Sequence, residues 1–211
     1  MRLAVCGATG GTGVQVIKQA LRRGHKVTAL ARRPHTLGFT DPHLDVVAGD
    51  VLTASAADAV VDGADAVVSA LGIGMHRHAT TVYSAGTGNI VDAMTRTGVD
   101  RLLVVSTSSL RVPDRAQFPE WLVTKFLLHP MLKRPYADMA DMEQRVRDSN
   151  IDWTLVRAAR LTDRPPSGDY RIALDGKLHG CWSIARTDLA TYLLDHIRDQ
   201  RTYRRIVEIA N

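Results

Sequence analysis

Short apolar runs alternate along the chain with longer stretches in which apolar residues recur at helical spacing. Residues 3–6, 26–31 and 44–48 have the composition of strands that are buried on both faces of a parallel sheet. Between the first two runs, apolar residues recur at helical spacing from Val14 until Gly24 ends the pattern. Strand, helix and strand joined by short connections predict a right-handed crossover unit.

The same alternation continues to the end of the chain. It predicts strands at residues 64–69, 101–106, 152–157 and 204–209, and helices at residues 54–61, 80–97, about 120–133, 136–149 and 187–197, with a break at Pro135. No linker or repeat divides the chain. We therefore expect one α/β domain over residues 1–211, a doubly wound, Rossmann-like parallel sheet. The segments left to shape a substrate side are residues 113–133 and the Pro- and Gly-richer residues 161–181.

Composition narrows the possible classes. The 211 residues are 45% apolar and 23% charged, which is typical of a soluble globular domain. Two distant cysteines, Cys6 and Cys181, are too few for a disulfide scaffold. The longest apolar run, residues 121–132, contains Lys125 and His129 and is too short to span a bilayer. Without a signal-peptide pattern, we expect a cytoplasmic protein with no membrane partner.

The formal net charge of +5 favours an anionic partner. Nucleic acid is not expected as that partner, because no helix-turn-helix pattern, zinc-finger pattern or basic strip interleaved with aromatics supports it. A metal site is not expected either. His76 and His78 have no Cys or carboxylate at ligand spacing, and Asp138, Asp141 and Glu143 are interpreted as a solvated acidic helix face.

A glycine-rich loop lies between the first strand and the first helix. Such a loop admits positive φ, lets the backbone approach a pyrophosphate and places phosphates at a helix N-terminus. No Lys follows it, so an NTPase phosphate loop is not expected. The candidate cofactor-binding residues of this loop are Gly7, Thr9, Gly10, Gly11, Thr12 and Gly13.

The end of the second strand indicates which dinucleotide binds. An NAD site usually has an acidic residue there, whereas this chain has Arg32 and Arg33. Guanidinium groups match a 2′-phosphate, so we expect NADP, with NADPH preferred over NADH. The alternative is a solvated basic turn. Further candidates at strand ends are Asp50, Val51, Ala70, Leu71, Gly72 and Ser106.

Several segments together resemble the atypical short-chain dehydrogenase/reductase group, and within it the biliverdin-IXβ reductase/flavin reductase family. They are residues 7–13, 49–52, 89–91, 98–100, 106–108, 153–157, 160–163 and 183–190. The resemblance covers nearly the whole chain. It implies the Rossmann-like fold and an NAD(P)H cofactor.

The ordinary members of the wider group use a Tyr-x-x-x-Lys pair, which this chain lacks. The residues four positions after its five tyrosines are Thr87, Ala140, Leu174, His196 and Val207. The resemblance implies instead that Ser108 lies beside the nicotinamide. It also implies that Arg160 replaces the family's histidine, where it could hold an anionic group of the substrate but could not act as a general acid.

These features favour an NADPH-dependent reductase that transfers a hydride to a small conjugated acceptor. A flavin, a biliverdin-like tetrapyrrole or a quinone delocalises the incoming charge over its own rings, so orientation matters more than acid–base work. The alternative is an NmrA-like regulator that senses NADP(H) with little or no turnover. The oligomeric state is left open between monomer and dimer.

Overall fold

The structure is a computed structural model that describes residues 1–74, 79–110 and 129–211, with the backbone alone for residues 129–131. Its strands are β1 (Arg2–Cys6), β2 (Lys26–Ala31), β3 (Leu44–Ala48), β4 (Ala66–Ser69), β5 (Arg101–Thr107), β6 (Asp152–Ala158), β7 (Arg160–Thr162), β8 (Arg171–Leu174), β9 (Ser183–Ala185) and β10 (Arg205–Ala210). Its α-helices are α1 (Gly11–Arg22), α2 (Ala54–Val61), α3 (Ser84–Thr97), α4 (His129–Asp148) and α5 (Arg186–Asp195).

Eight of these strands form one sheet in the order β3-β2-β1-β4-β5-β6-β10-β8. All neighbours in it are parallel except β8, which runs antiparallel to β10 at the edge. A separate parallel pair, β7 with β9, lies in the C-terminal part of the chain. The direction of strand progression reverses between β1 and β4, and a ligand crevice is expected outside the carboxyl ends of the strands at such a point.

Helices cover both faces of the sheet. The apolar side chains of α1 and α5 share a core with one face, which includes Ile17, Leu189 and Leu193. Those of α2, α3 and α4 share a second core with the other face, which includes Ile90 and Met142. Strands between two apolar layers have to be apolar on both sides, which explains the continuous runs in the sequence.

The predicted helix break is wrong in position. Helix α4 continues through Pro135, and its only residue with non-helical torsions is Leu132, at φ −113° and ψ 17°. Pro135 lies three residues later, in the first turn of the following segment. Proline is tolerated there because an N–H in the first turn has no intrahelical partner.

Some expectations concern residues outside the described ranges. The paired histidines His76 and His78 fall in the gap at 75–78, and most of the predicted helix at 120–133 falls in the gap at 111–128. Within the described ranges, no helix has both the length and the apolar character needed to cross a membrane. The same ranges contain no group of three or more His, Cys, Asp or Glu arranged to hold a metal ion. The cytoplasmic location stays a prediction.

Candidate functional site

A cleft of about 540 Å³ lies at the carboxyl ends of the parallel strands. This volume falls within the roughly 300–1,000 Å³ of small-molecule sites. Strands β1 to β6 all contribute to it through residues at or just after their carboxyl ends. The lining includes Gly7, Thr9, Gly10, Gly11, Thr12, Arg32, Asp50, Val51, Ala70, Leu71, Gly72, Ser106 and Arg160. Of the residues expected from the sequence, Gly13, Arg33 and Ser108 are not in this lining.

The glycine loop needs its glycines because the backbone is crowded. Gly7 has φ +81°, and a Cβ built on it would lie 2.3 Å from the carbonyl oxygen of Ala70. A Cβ on Gly13 would lie 2.2 Å from the carbonyl oxygen of Gly7. Gly13 therefore shapes the site by letting α1 pack closely on the end of β1, although it does not line the cleft.

The N-terminus of α1 lies within the same glycine loop, since the helix begins at Gly11. Gly10 is the N-cap in an extended conformation and provides no capping side chain, and the first turn contains no acidic residue. The N–H groups at such a helix start lack intrahelical acceptors and carry a partial positive charge. Backbone N–H groups beside a loop without side chains are suited to phosphate oxygens, so this part of the cleft fits the diphosphate of a dinucleotide.

The two arginines after β2 occupy different positions. Arg32 is exposed and lines the cleft. Arg33 is also exposed, and its carbonyl oxygen accepts from the Thr36 N–H at 3.0 Å and from the Thr36 hydroxyl at 2.8 Å. These bonds hold the 3₁₀ turn Pro34–Leu37. The structure thus brings Arg32 into the site, while the backbone of Arg33 holds the turn behind it.

Two hydrogen bonds hold the loop after β3, one within the loop and one from α3. The Asp50 carboxylate accepts from the Leu52 N–H at 3.0 Å, and Asn89 of α3 donates its side-chain amide to the Val51 carbonyl at 2.9 Å. A Cβ on Gly86 would lie 2.8 Å from a methyl group of Val51. Helix α3 therefore presses this loop against the cleft, which holds Asp50 and Val51 in the lining.

A buried charged network lies behind Ser106. The Ser106 hydroxyl donates to Glu143 of α4 at 2.7 Å, and Arg157 of β6 donates to the same carboxylate through Nε at 2.9 Å and through Nη2. The side chains of Arg157 and Glu143 are 5% and 2% exposed. Burial by itself would raise the pKa of Glu143, but the bonds and charge of Arg157 and the bond from Ser106 hold it below its usual value.

One sequence interpretation is corrected by this region. The acidic residues of α4 do not form a solvated face, because Asp138 and Glu143 are both buried and only Asp141 is exposed. Asp138 accepts from the N–H groups of Tyr83 and Ser84 at 3.0 and 3.1 Å and from the Ser84 hydroxyl, and so caps the start of α3.

Tyr83 is a cleft residue that the sequence reasoning missed. It is 6% exposed and lines the cleft, and its phenol oxygen accepts from the Ile73 N–H at 3.3 Å. Burial raises the pKa of Tyr83, so the phenol keeps its proton near neutral pH. The only signal in the sequence was a tyrosine at the start of a helix that follows a strand.

The two candidate catalytic residues are placed differently. Arg160 begins β7, is exposed and lines the cleft. Ser108 begins the 3₁₀ turn Ser108–Leu110 directly after β5 and is half-buried. The hydroxyl-bearing residues at this strand end that line the cleft are Ser106 and Thr107.

Arg186 is the second residue that the sequence reasoning missed. It is the first residue of α5, lines the cleft, and pairs with Asp163 at 2.7 Å. Its side chain also lies against Gly11, since a Cβ built on Gly11 would be 2.7 Å from its Cδ. Position 186 lay within a segment of family resemblance, but only the fold brings it to the glycine loop.

Comparison with known proteins agrees with this architecture. A family model described as NAD(P)H-binding matches residues 7–200. An uncharacterized chloroplastic protein of Arabidopsis thaliana is 27% identical over 216 residues, which covers 99% of this chain and 76% of that protein. Three mycobacterial relatives are 30% identical, but the matched region spans only 22% of their length.

Two solved structures show the same fold over the whole chain. A short-chain dehydrogenase/reductase from Veillonella parvula in complex with NADP has a TM-score of 0.81 and 17% identity, and 94% of it is covered. The anaerobillin reductase ChuY from Escherichia coli O157:H7 has a TM-score of 0.81 and 17% identity, and 97% of it is covered. The predicted Rossmann-like fold class is confirmed.

Proposed function

Because the chain belongs to the NAD(P)H-binding family, we propose that it is an NADPH-dependent reductase that transfers a hydride to a small conjugated acceptor. The acceptor would be a flavin, a biliverdin-like tetrapyrrole or a quinone. The observation that carries the proposal is the position of Arg32, which lines the same cleft as the glycine loop. A reduced nicotinamide supplies the hydride when it is bound, and the protein supplies binding and orientation.

The preference for NADPH follows from charge at the end of β2. Residues 31–35 read Ala-Arg-Arg-Pro-His and contain no carboxylate that would accept bonds from a ribose 2′-hydroxyl. Arg32 can donate two parallel hydrogen bonds to phosphate oxygens and stack on the adenine. Its bonds to a 2′-phosphate would also offset the conformational entropy that an exposed arginine side chain loses when it is held in one position.

The preference for a conjugated acceptor follows from the residues that could move a proton. No tyrosine of the chain has a lysine four positions later, so the usual pair that protonates a ketone is absent from the sequence. A guanidinium group does not serve as a general acid, so the role of Arg160 in this proposal is to hold a carboxylate or phosphate of the acceptor. Ser108 would hydrogen-bond an edge of the acceptor, and Ser106 and Thr107 share that proposed role because they line the cleft.

Two fold neighbours support the proposal by what they bind or do. The Veillonella parvula protein is in complex with NADP, and ChuY is an anaerobillin reductase. Each statement concerns that protein alone. They make NADP and a tetrapyrrole the first cofactor and acceptor to test with this chain.

The cofactor part is tested by titrating NADPH and NADH against wild type and against Arg32→Ala/Arg33→Ala. We expect wild type to prefer NADPH and the double variant to lose most of that preference. The matched control is Arg22→Ala/Arg23→Ala, which removes the same charge from two exposed adjacent arginines at the end of α1. An unchanged preference in the first variant would contradict the cofactor assignment.

The reaction part is tested by mixing the protein and NADPH with FMN, riboflavin, biliverdin and quinones, and following the loss of NADPH absorbance. Turnover of at least one acceptor is expected. If NADPH binds but no acceptor is reduced, the reductase proposal fails. If NADP⁺ and NADPH then bind with clearly different affinities and a partner co-purifies, the NmrA-like regulator replaces it.

A further inference from the structure

We propose that Arg186 binds the diphosphate of the dinucleotide beside the glycine loop. This inference rests on the proposed function, because it requires a dinucleotide in the cleft. It assigns a binding role to a residue of α5 that lies far from the glycine loop in the sequence.

The first observation is the path of the Arg186 side chain. A Cβ on Gly11 would lie 2.7 Å from Cδ and 2.8 Å from Nε of Arg186. The aliphatic part of Arg186 thus occupies the space that a side chain at position 11 would need. The absence of a side chain at position 11 is what allows a guanidinium group to reach the start of α1.

The second observation is electrostatic. The N-terminus of α1 already carries partial positive charge, and its first turn contains no acidic residue. Arg186 adds a full positive charge beside it. Among the described residues the ionic partner of Arg186 is Asp163, whose side chain is 85% exposed, and exposed pairs of this kind are weak. A diphosphate would interact favourably with both the helix end and the guanidinium.

The ligand class follows from where Arg186 lies along the cleft. It contacts Gly11 at the helix start, where the backbone N–H groups favour phosphate oxygens. Arg32 lies at the end of another strand, β2, and is the residue proposed for the 2′-phosphate. Arg186 should therefore bind the diphosphate of the cofactor, and Arg32 should bind its 2′-phosphate.

Asp163 pairs with the Arg186 guanidinium in the protein without cofactor, and a bound diphosphate would compete for the same group. The Asp163–Arg186 pair has one short contact, 2.7 Å from Oδ1 to Nη1, and the Arg186 side chain is 26% exposed. The pair is accessible enough to exchange partners without unfolding its surroundings. Binding of the diphosphate would then break the ion pair with Asp163.

The experiment compares Arg186→Gln with wild type by calorimetric titration of four ligands: NADP⁺, NAD⁺, ADP-ribose and adenosine 2′-monophosphate. We expect the first three, which contain a diphosphate, each to bind about tenfold more weakly, because a charge-assisted hydrogen bond is lost. Binding of adenosine 2′-monophosphate should not change. Equal weakening of all four ligands, or no weakening, would overturn the inference.

A matched control separates a binding role from a structural one. Arg23 also forms an exposed ion pair, with Asp195 at 2.7 Å, at the far end of α1. Arg23→Gln should leave all four affinities unchanged. The thermal unfolding midpoints of the two variants without ligand should agree, and a drop confined to Arg186→Gln together with equal losses for all ligands would indicate a structural role only.

A second variant tests the competition. Asp163→Asn should bind NADP⁺, NAD⁺ and ADP-ribose a few-fold more tightly, and this gain should vanish when Arg186→Gln is also present. A gain of the same size in both backgrounds would mean that Asp163 acts without Arg186 and would contradict the exchange. If wild type binds none of the dinucleotides, the proposed function fails; if it binds them and Arg186→Gln binds them equally well, only this inference fails.

Discussion

The Ser106 hydroxyl donates its hydrogen bond to the Glu143 carboxylate, with 2.7 Å between the two oxygens. Because the pKa of Glu143 lies below its usual value, the carboxylate is ionised near neutral pH and can only accept. The single proton of Ser106 is therefore engaged behind the cleft. Ser106 is one of the residues that line the cleft, although it is only 3% exposed.

The first prediction concerns the stability of this network. Glu143→Gln leaves the buried Arg157 without its counter-charge, and breaking one side of a buried pair costs about 3–5 kcal/mol. The free energy of unfolding from urea denaturation should fall by that order. The matched control is Asp58→Asn, which breaks the exposed pair with Arg96 and should cost less than about 1 kcal/mol. Similar losses in the two variants would show that the network contributes no more than a surface pair.

The second prediction concerns how the difference in the free energy of unfolding between wild type and Glu143→Gln depends on pH. A carboxylate whose pKa is lower in the folded state than in the unfolded state stabilises the fold fully above the unfolded pKa. For Glu143 that value is 4.5, and the folded value lies below it. The advantage of wild type over Glu143→Gln should be constant above this pH and shrink as the pH falls through the folded pKa. A difference that grows on acidification would contradict an ionised Glu143.

The sequence pattern predicted the bounds of several strands correctly. Strand β2 has the predicted bounds because most of its residues are buried between the helix layers and form an apolar run that ends at Arg32. Strand β3 also has the predicted bounds, although it is an edge strand and none of its residues is fully buried. The position of the glycine loop between β1 and α1 was predicted because the apolar pattern changes there from a continuous run to helical spacing. Neither prediction required knowledge of which distant residues meet.

The pattern could not predict pairings between distant charges. Helical spacing places Asp138 and Glu143 on α4, but it does not show that α4 turns them towards α3 and towards the buried Arg157. A charged residue is usually solvated, so burial of both could be seen only once the layers were assembled. Arg186 was missed likewise, because its contact with Gly11 depends on the packing of α5 against α1.

The third prediction concerns Gly7. Gly7→Ala combines φ +81° with a Cβ only 2.3 Å from the Ala70 carbonyl oxygen, so the loop must move. We expect the stability to fall by more than the roughly 1–3 kcal/mol of backbone strain alone, together with a large loss of NADP⁺ affinity. Gly24→Ala is the control, because Gly24 has φ +75° but nothing within 4 Å of an added Cβ. It should show the strain without the loss of affinity. Retention of wild-type affinity by Gly7→Ala would contradict the close approach of β1 and β4 as a requirement for binding.

The last prediction separates the two arginines after β2. Arg32 lines the cleft, whereas Arg33 bonds to Thr36 through its carbonyl oxygen, which an alanine would retain. Arg32→Ala should lower the NADPH-to-NADH affinity ratio about tenfold, as expected for the loss of a charge-assisted bond. Arg33→Ala removes the same charge one residue further on, where only the screened long-range attraction is lost, so its ratio should change less than about twofold.

Measuring both affinity ratios at two salt concentrations tests whether each effect comes from direct contact or from long-range attraction. A small effect of Arg33→Ala should disappear at high salt, and the effect of Arg32→Ala should persist because it comes from direct contact. Equal effects that both vanish with salt would mean that the basic turn attracts NADPH only through its net charge.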